Sequence, residues 1–322
     1  MSLEAIRSLL QSELKAVNET ILTYLESNVP LIQEVGRYLV ESGGKRVRPL
    51  VALLAAKACA YTGRDHITLA AIIEYLHTAT LLHDDVVDDS EQRRGQPTAN
   101  MIWDNATSVL VGDFLYSRAF QMIVSLGSLT MMQVLSETSN MIVEGEVAQL
   151  INKHNPEYTE DQYFHVIYCK TAKLFEASGR LGAMLGKSSS DIERSMQAYG
   201  RHIGMAFQLV DDVLDYTAVA EELGKNLGDD LAEGKVTLPL LYALKHASEP
   251  NRQFIIDAIQ TGERGALKEI QSTIAASGAI EYTMSVAKLE IENAKQALKV
   301  LPASPYRDAL NDLADFTISR TA

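Results

Sequence analysis

The chain has 322 residues, of which 47% are apolar and 22% charged, a balance that supports a sizeable globular core and excludes a disordered chain. A formal net charge of −13 argues against non-specific binding to nucleic acid or to anionic lipid, since both are negative, and favours a cationic ligand or metal. The two cysteines, Cys59 and Cys169, have neither CxxC spacing nor a cluster with histidine, so no zinc site or disulfide framework is expected, and a reducing cytoplasm fits.

From the N-terminus, Leu3, Ile6, Leu10, Leu14, Val17 and Ile21 recur at three- and four-residue steps, which predicts an amphipathic helix and not a signal peptide. The longest apolar stretches, such as Pro49 to Ala56, fall short of the roughly 18 residues needed to span a bilayer. Nearly every later segment has helical periodicity, and no run of four to eight residues reads as a strand, so the fold is expected to be all-α. Turn signals at Ser42-Gly43-Gly44, Thr62-Gly63, Gly95-Gln96-Pro97, Asn155-Pro156, Ser188 to Asp191, Gly234 and Glu249-Pro250 predict about ten or more helices. With no flexible linker and no repeat, one continuous domain over 1–322 is expected. Ile67 to Val87 and Thr107 to Leu126 are apolar on more than one face, which predicts central helices able to enclose a tunnel.

Chemistry concentrates in two acid clusters. In Leu81-Leu82-His83-Asp84-Asp85-Val86-Val87-Asp88-Asp89, Asp84 lies one helical turn from Asp88 and Asp85 one turn from Asp89. Like charges at that spacing repel, so a cation is expected between them. The pattern returns in Phe207-Gln208-Leu209-Val210-Asp211-Asp212-Val213-Leu214-Asp215, far enough along the chain to be a separate helix. A single DDxxD is most often a solvated acidic face, but two copies among aliphatic residues are harder to dismiss. Hard carboxylate oxygens point to Mg²⁺, which binds through one or two carboxylates plus water and substrate phosphate oxygens. Candidate anion partners are Gly43-Gly44-Lys45-Arg46-Val47-Arg48-Pro49, Arg93-Arg94-Gly95, Lys170-Thr171 and Gly224-Lys225-Asn226. Each alone reads as a turn or a solvated side chain, and their coexistence with two acid clusters shifts the balance.

At GGKRVRP (43 to 49), LLHDDVVDDSEQRRG (81 to 95), KT (170 to 171), FQLVDDVLDY (207 to 216) and GKNLGDD (224 to 230) the sequence resembles the trans-polyprenyl diphosphate synthases over essentially its whole length. Among them it is most similar to the bacterial enzymes that make octaprenyl diphosphate for quinone side chains. The resemblance implies the all-α isoprenoid synthase fold around a substrate tunnel, Mg²⁺ as cofactor, isopentenyl diphosphate and an allylic primer such as farnesyl diphosphate as substrates, and a cytoplasmic homodimer. Asp84 and Asp88, assisted by Asp85, are implied to hold Mg²⁺ at the allylic diphosphate, and Asp211, Asp212 and Asp215 a further ion. Lys45, Arg48, His77 and Arg94 match positions that bind isopentenyl diphosphate. Arg93, Lys170, Thr171, Gln208, Lys225 and Lys235 match those facing the allylic diphosphate. Ionisation of an allylic diphosphate needs charge neutralisation and no protein nucleophile, which agrees with the missing Ser-His-Asp or Cys-His grouping.

Ala79 lies five residues before the first motif, where short-chain relatives often carry an aromatic ring. It therefore reads, with Leu76, Thr80 and Ile73, as a tunnel wall open to a long product, against the plainer reading of core packing. Met122 and Ile123 are weaker candidates for the tunnel floor. His83, Trp103, Cys59 and Cys169 receive structural readings. The alternatives are a short-chain synthase, a terpene cyclase, which carries an Asn/Ser/Glu metal motif where this chain has the second DDxxD, and a non-catalytic partner subunit, in which motif acids are usually lost.

Overall fold

The N-terminal periodicity is taken up by two helices, α1 (Leu3–Leu9) and α2 (Gln11–Tyr24), instead of one. The chain bends at Leu10, whose φ of −112° and ψ of 22° leave the helical range, and the bend lets Ile6, Leu10, Val17 and Ile21 all be buried. The computed structural model describes residues 2–217 and 227–320. Their order continues with α3 (Pro30–Glu41), α4 (Val47–Ala58), α5 (Asp65–Val87), α6 (Ala99–Ile102), α7 (Asn105–Ser125), α8 (Leu129–Ile151), α9 (Glu160–Ile167), α10 (Lys173–Leu185) and α11 (Ser190–Thr217). Further helices span Leu238–His246, Glu249–Thr261, Leu267–Ser277, Ala279–Ala297 and Pro305–Ser319. The all-α expectation holds, and no described helix is long and apolar enough to cross a membrane.

One departure is a hairpin of two-residue strands, β1 (Gln92–Arg93) and β2 (Gln96–Pro97). Periodicity cannot reveal strands this short. Arg94 and Gly95, at φ 56° and 72°, both occupy the left-handed region, as a two-residue hairpin turn requires.

Two compact units are distinguished, the first made of 1–138, 174–200 and 297–313, the second of 139–173, 201–296 and 314–322. In the first, α4 buries ten of its twelve residues, so it is apolar all round and central. Pro49 is tolerated in its first turn, where an N–H would have no intrahelical partner. Helix α5 packs against α2, α4 and α7, and the Tyr75 hydroxyl donates to Ile21 O at 2.8 Å. Gly182 of α10 lies so close to α4 that a Cβ there would sit 2.7 Å from Ala52 O. Helix α7 is not wholly internal as expected. It buries Val111, Leu115, Ala119, Met122 and Ile123 but leaves Val109, Leu110 and Val124 exposed.

The second unit has its own core, with Tyr163, Val166 and Ile167 of α9, Leu209 and Val210 of α11, and Leu238, Leu240, Ile255, Ile259, Ile270 and Ile274. Thr159 and Gln162 form a reciprocal capping box that starts α9. Between α9 and α10 the backbone widens into a π-helical turn, Tyr168–Ala172, which carries Lys170 and Thr171. Such turns rearrange side chains locally and recur at functional sites.

Candidate active site

In the first unit, α5 ends in the first acid cluster. The Asp88 N–H donates to Asp84 O at 2.8 Å, which places the two side chains one turn apart. Asp85 points inward, is 2% exposed, and accepts from Arg93 Nε at 2.8 Å and Nη2 at 2.6 Å. Burial raises its carboxyl above the usual value even against the neighbouring guanidinium. Arg93 reaches back because the left-handed Arg94-Gly95 turn folds β1 and β2 together, and Thr98 secures the base by donating to Ser90 O at 2.7 Å. Sequence reasoning set Asp85 beside the metal and Arg93 facing the allylic diphosphate. The structure joins the two directly.

The basic loop before α4 has three left-handed positions, Gly43 at 78°, Gly44 at 137° and Arg46 at 49°. Gly44 must be glycine on two counts, its φ and the Arg94 guanidinium 2.7 Å from where a Cβ would stand. Arg94 donates to Gly43 O, and Arg7 Nη2 donates to Lys45 O at 3.0 Å, so the segment bearing Lys45 is gripped from two sides. Arg48 Nη1 lies 3.3 Å from His77 Nε2, with its guanidinium 4.5 Å above the Phe175 ring. A guanidinium only donates, so His77 accepts at Nε2 and carries its proton on Nδ1. Burial, with Arg48, Arg94 and Arg93 nearby, holds His77 well below the usual histidine range and therefore neutral.

In the second unit, α11 presents three acids in different settings. Asp211 pairs with Arg320, Nη1 to Oδ1 at 2.8 Å, and the Arg320 guanidinium stacks 3.7 Å over the Phe207 ring. Asp212 is 1% exposed and accepts from the Tyr163 hydroxyl and, at 2.7 Å, from Gln208 Nε2. The Gln208 carbonyl oxygen in turn accepts from Thr171 Oγ1 at 2.7 Å. Burial first, then the charges of Asp230 and Asp211, push the Asp212 carboxyl well above the usual range. Asp215 is fully buried, and its Oδ2 accepts from the Asp230 N–H at 3.3 Å.

Beside these acids is a cavity of about 80 Å³, onto which Lys170, Thr171, Gln208, Asp212, Asp230 and Lys235 open. Lys170 Nζ lies 2.6 Å from Glu146 Oε2 and 2.9 Å from Gln149 Oε1, and Lys235 Nζ lies 2.5 Å from Glu233 Oε2. Gly145 lets α8 approach the π-helical turn, since a Cβ there would stand 2.6 Å from that of Cys169. Five sequence candidates thus meet in one cavity, while Lys225 lies outside the described residues. Tyr163, Asp230, Glu146 and Gln149 were missed. Asp230 belongs to the GKNLGDD stretch and had a signal, but Tyr163 is an ordinary buried aromatic in sequence.

On α5, Leu76 and Ala79 are fully buried, and Thr80 donates to His77 O at 2.8 Å. His83 fits its structural reading, with Nε2 3.2 Å from Val109 O and 3.4 Å from Asp113 Oδ1 on α7. Trp103 packs edge-on to Tyr38 at 5.5 Å, and Cys59 and Cys169 are free thiols. Among the described residues no three His, Cys, Asp or Glu side chains are grouped to hold a metal unaided. Pairs of carboxylates completed by water and phosphate oxygens suit Mg²⁺ and not a fully protein-enclosed ion.

Residues 29–276 match the Polyprenyl synthetase family. The chain is 51% identical over 321 residues to octaprenyl diphosphate synthase of Escherichia coli, covering 99% of each. A polyprenyl synthase from Caulobacter crescentus, solved with calcium and isoprenyl diphosphate, superposes with a TM-score of 0.97 at 40% identity, covering 100% of this chain and 98% of that one. A decaprenyl diphosphate synthase from Rhodobacter capsulatus gives a TM-score of 0.94 at 43% identity, covering 99% of each chain.

Proposed function

The chain belongs to the polyprenyl synthetase family, and on that premise we propose that it is a long-chain trans-polyprenyl diphosphate synthase. In this reading it extends farnesyl diphosphate with successive isopentenyl diphosphates to octaprenyl diphosphate for a quinone side chain. The observation that carries it is the end-to-end likeness to the octaprenyl synthase. Both acid motifs are intact, which opposes a non-catalytic subunit.

Asp84, Asp88 and Asp211 are the Mg²⁺ ligands in this proposal, and Asp85, Asp212 and Asp215 hold their surroundings in place. Held by these carboxylates, Mg²⁺ would supply positive charge to offset that of the diphosphate leaving group. Lys170, Lys225, Lys235 and Arg93 add fixed positive charge to the departing group, and Thr171 and Gln208 orient it by hydrogen bonds. Lys45, Arg48, Arg94 and His77 bind the diphosphate of isopentenyl diphosphate, His77 as a neutral Nδ1–H donor. The double bond of that substrate attacks the allylic cation, and the proton then lost passes to the released diphosphate. Leu76, Ala79 and Thr80 line the path of the growing chain.

The enzyme is proposed to work as one domain over 1–322, in the cytoplasm, as a homodimer. An exposed stripe on α8, Val143, Val147, Leu150 and Ile151, supports a partner surface. The test is to incubate the purified chain alone with Mg²⁺, farnesyl diphosphate and radiolabelled isopentenyl diphosphate, then size the dephosphorylated product by chromatography. A 40-carbon product is expected. No incorporation, or a product that stops at 20 carbons, would overturn the reading.

A further inference from the structure

We propose that Glu74 and Arg46 form a positioning ion pair for the isopentenyl diphosphate subsite; this rests on assigning Lys45, Arg48, His77 and Arg94 to that substrate. Glu74 stands on α5 one turn before His77, the residue that meets Arg48. Its side chain is only 13% exposed, with Oε1 3.9 Å from Arg46 Nε and Oε2 buried without a hydrogen-bond partner among the described residues. A carboxylate so placed is costly unless cations surround it. Arg46, Arg48 and Arg94 are those cations.

Arg46 is as tightly held. It is 16% exposed, adopts a left-handed φ of 49° that a non-glycine residue rarely takes, and donates to Asn18 Oδ1 and, at 3.5 Å, to Val40 O. It lies in sequence between Lys45 and Arg48. The ion pair therefore ties the loop that carries Lys45 to the helix that carries His77. With left-handed positions at 43, 44 and 46, that loop has little intrinsic preference for its shape, so an external tie sets it.

Two opposite consequences of removing Glu74 can be told apart. If the acid only offsets positive charge, its loss strengthens diphosphate binding. If it positions the loop, its loss weakens binding, and the structure assigns it that role. In the full-length enzyme, Glu74→Gln should raise KM for isopentenyl diphosphate by about tenfold, the loss of one charge-assisted tie, and change KM for farnesyl diphosphate by less than about twofold. Glu74→Asp should recover part of the loss.

Because breaking one half of a buried pair also destabilises, the double variant Arg46→Met/Glu74→Met is measured beside it. It should regain melting temperature while isopentenyl KM stays high. Lys45→Ala serves as the reference for the subsite. If Lys45→Ala raises isopentenyl KM but Glu74→Gln leaves it unchanged or lowers it, or if the double variant restores KM together with stability, the positioning role is wrong. If Lys45→Ala itself leaves isopentenyl KM unchanged, the subsite assignment falls and this inference with it.

Discussion

Tyr163→Phe removes one oxygen atom and leaves the ring packing of α9 intact, so it isolates the hydrogen bond to Asp212. Both residues are buried, Tyr163 at 3% and Asp212 at 1% exposure, and water cannot readily replace the lost donor. Leaving a buried carboxyl oxygen without its donor costs about 1–3 kcal/mol, so unfolding by urea should shift by that amount. Among the described residues, Gln208 is then the one hydrogen-bond donor left to Asp212. That amide also takes the Thr171 hydroxyl, so the disturbance should reach the cavity shared with Lys170 and Lys235. The expected kinetic result is a several-fold rise in KM for farnesyl diphosphate with KM for isopentenyl diphosphate little changed. Combined with Asp212→Asn, the two losses should be non-additive by about 1 kcal/mol or more, because they share one bond. A stability loss below about 0.5 kcal/mol with both KM values unchanged would refute the network as drawn.

Ala79→Tyr should stop elongation near three or four isoprene units. Ala79 lies five residues, about 7.5 Å of helix, before Asp84, and an isoprene unit is about 5 Å long. Unchanged long products, with stability lowered by about 1–3 kcal/mol of overpacking, would make Ala79 ordinary core. Asp84→Asn should abolish most turnover while circular dichroism stays helical. Asp211→Asn should do the same and also cost about 1–2 kcal/mol, a figure discounted for the 42% exposure of Asp211, because Arg320 is left buried without its carboxylate. Wild-type turnover in either variant would remove the metal assignment.

The fourth expectation concerns pH, since burial depresses His66, whose ring nitrogens lack partners among the described residues, and His77. Stability is therefore full above the unfolded value of about 6.5 and is lost as pH falls towards the folded values, by up to about 1.4 kcal/mol per pH unit for each histidine. His66→Phe should flatten the fall in urea midpoint between pH 7 and 5, and an unaltered slope would exclude His66 as a contributor.

The sequence by itself determined the helical class, the two acid helices and the glycine pair before α4, because these depend on spacing within one or two turns. Ile67 to Val87 was legible as a central helix because it is apolar on more than one face, and the structure buries Leu69 to Ile73, Tyr75, Leu76, Ala79 and Leu82 there. The bend at Leu10 escaped, since unbroken periodicity hides a kink that lets Ile6, Leu10, Val17 and Ile21 be buried together, and so did the hairpin at Arg94-Gly95, too short to show a period. The tertiary structure alone decided which charges meet. Arg93 with Asp85, Arg46 with Glu74 and Arg320 with Asp211 lie 8, 28 and 109 residues apart in the chain. Nothing in local pattern marks a buried arginine's partner, because the cost of burying a charge is met by whichever opposite charge the fold brings within about 4 Å. Tyr163 is the clearest case. In sequence it is an aromatic on an apolar face, and only the approach of α11 turns its hydroxyl into a donor for Asp212.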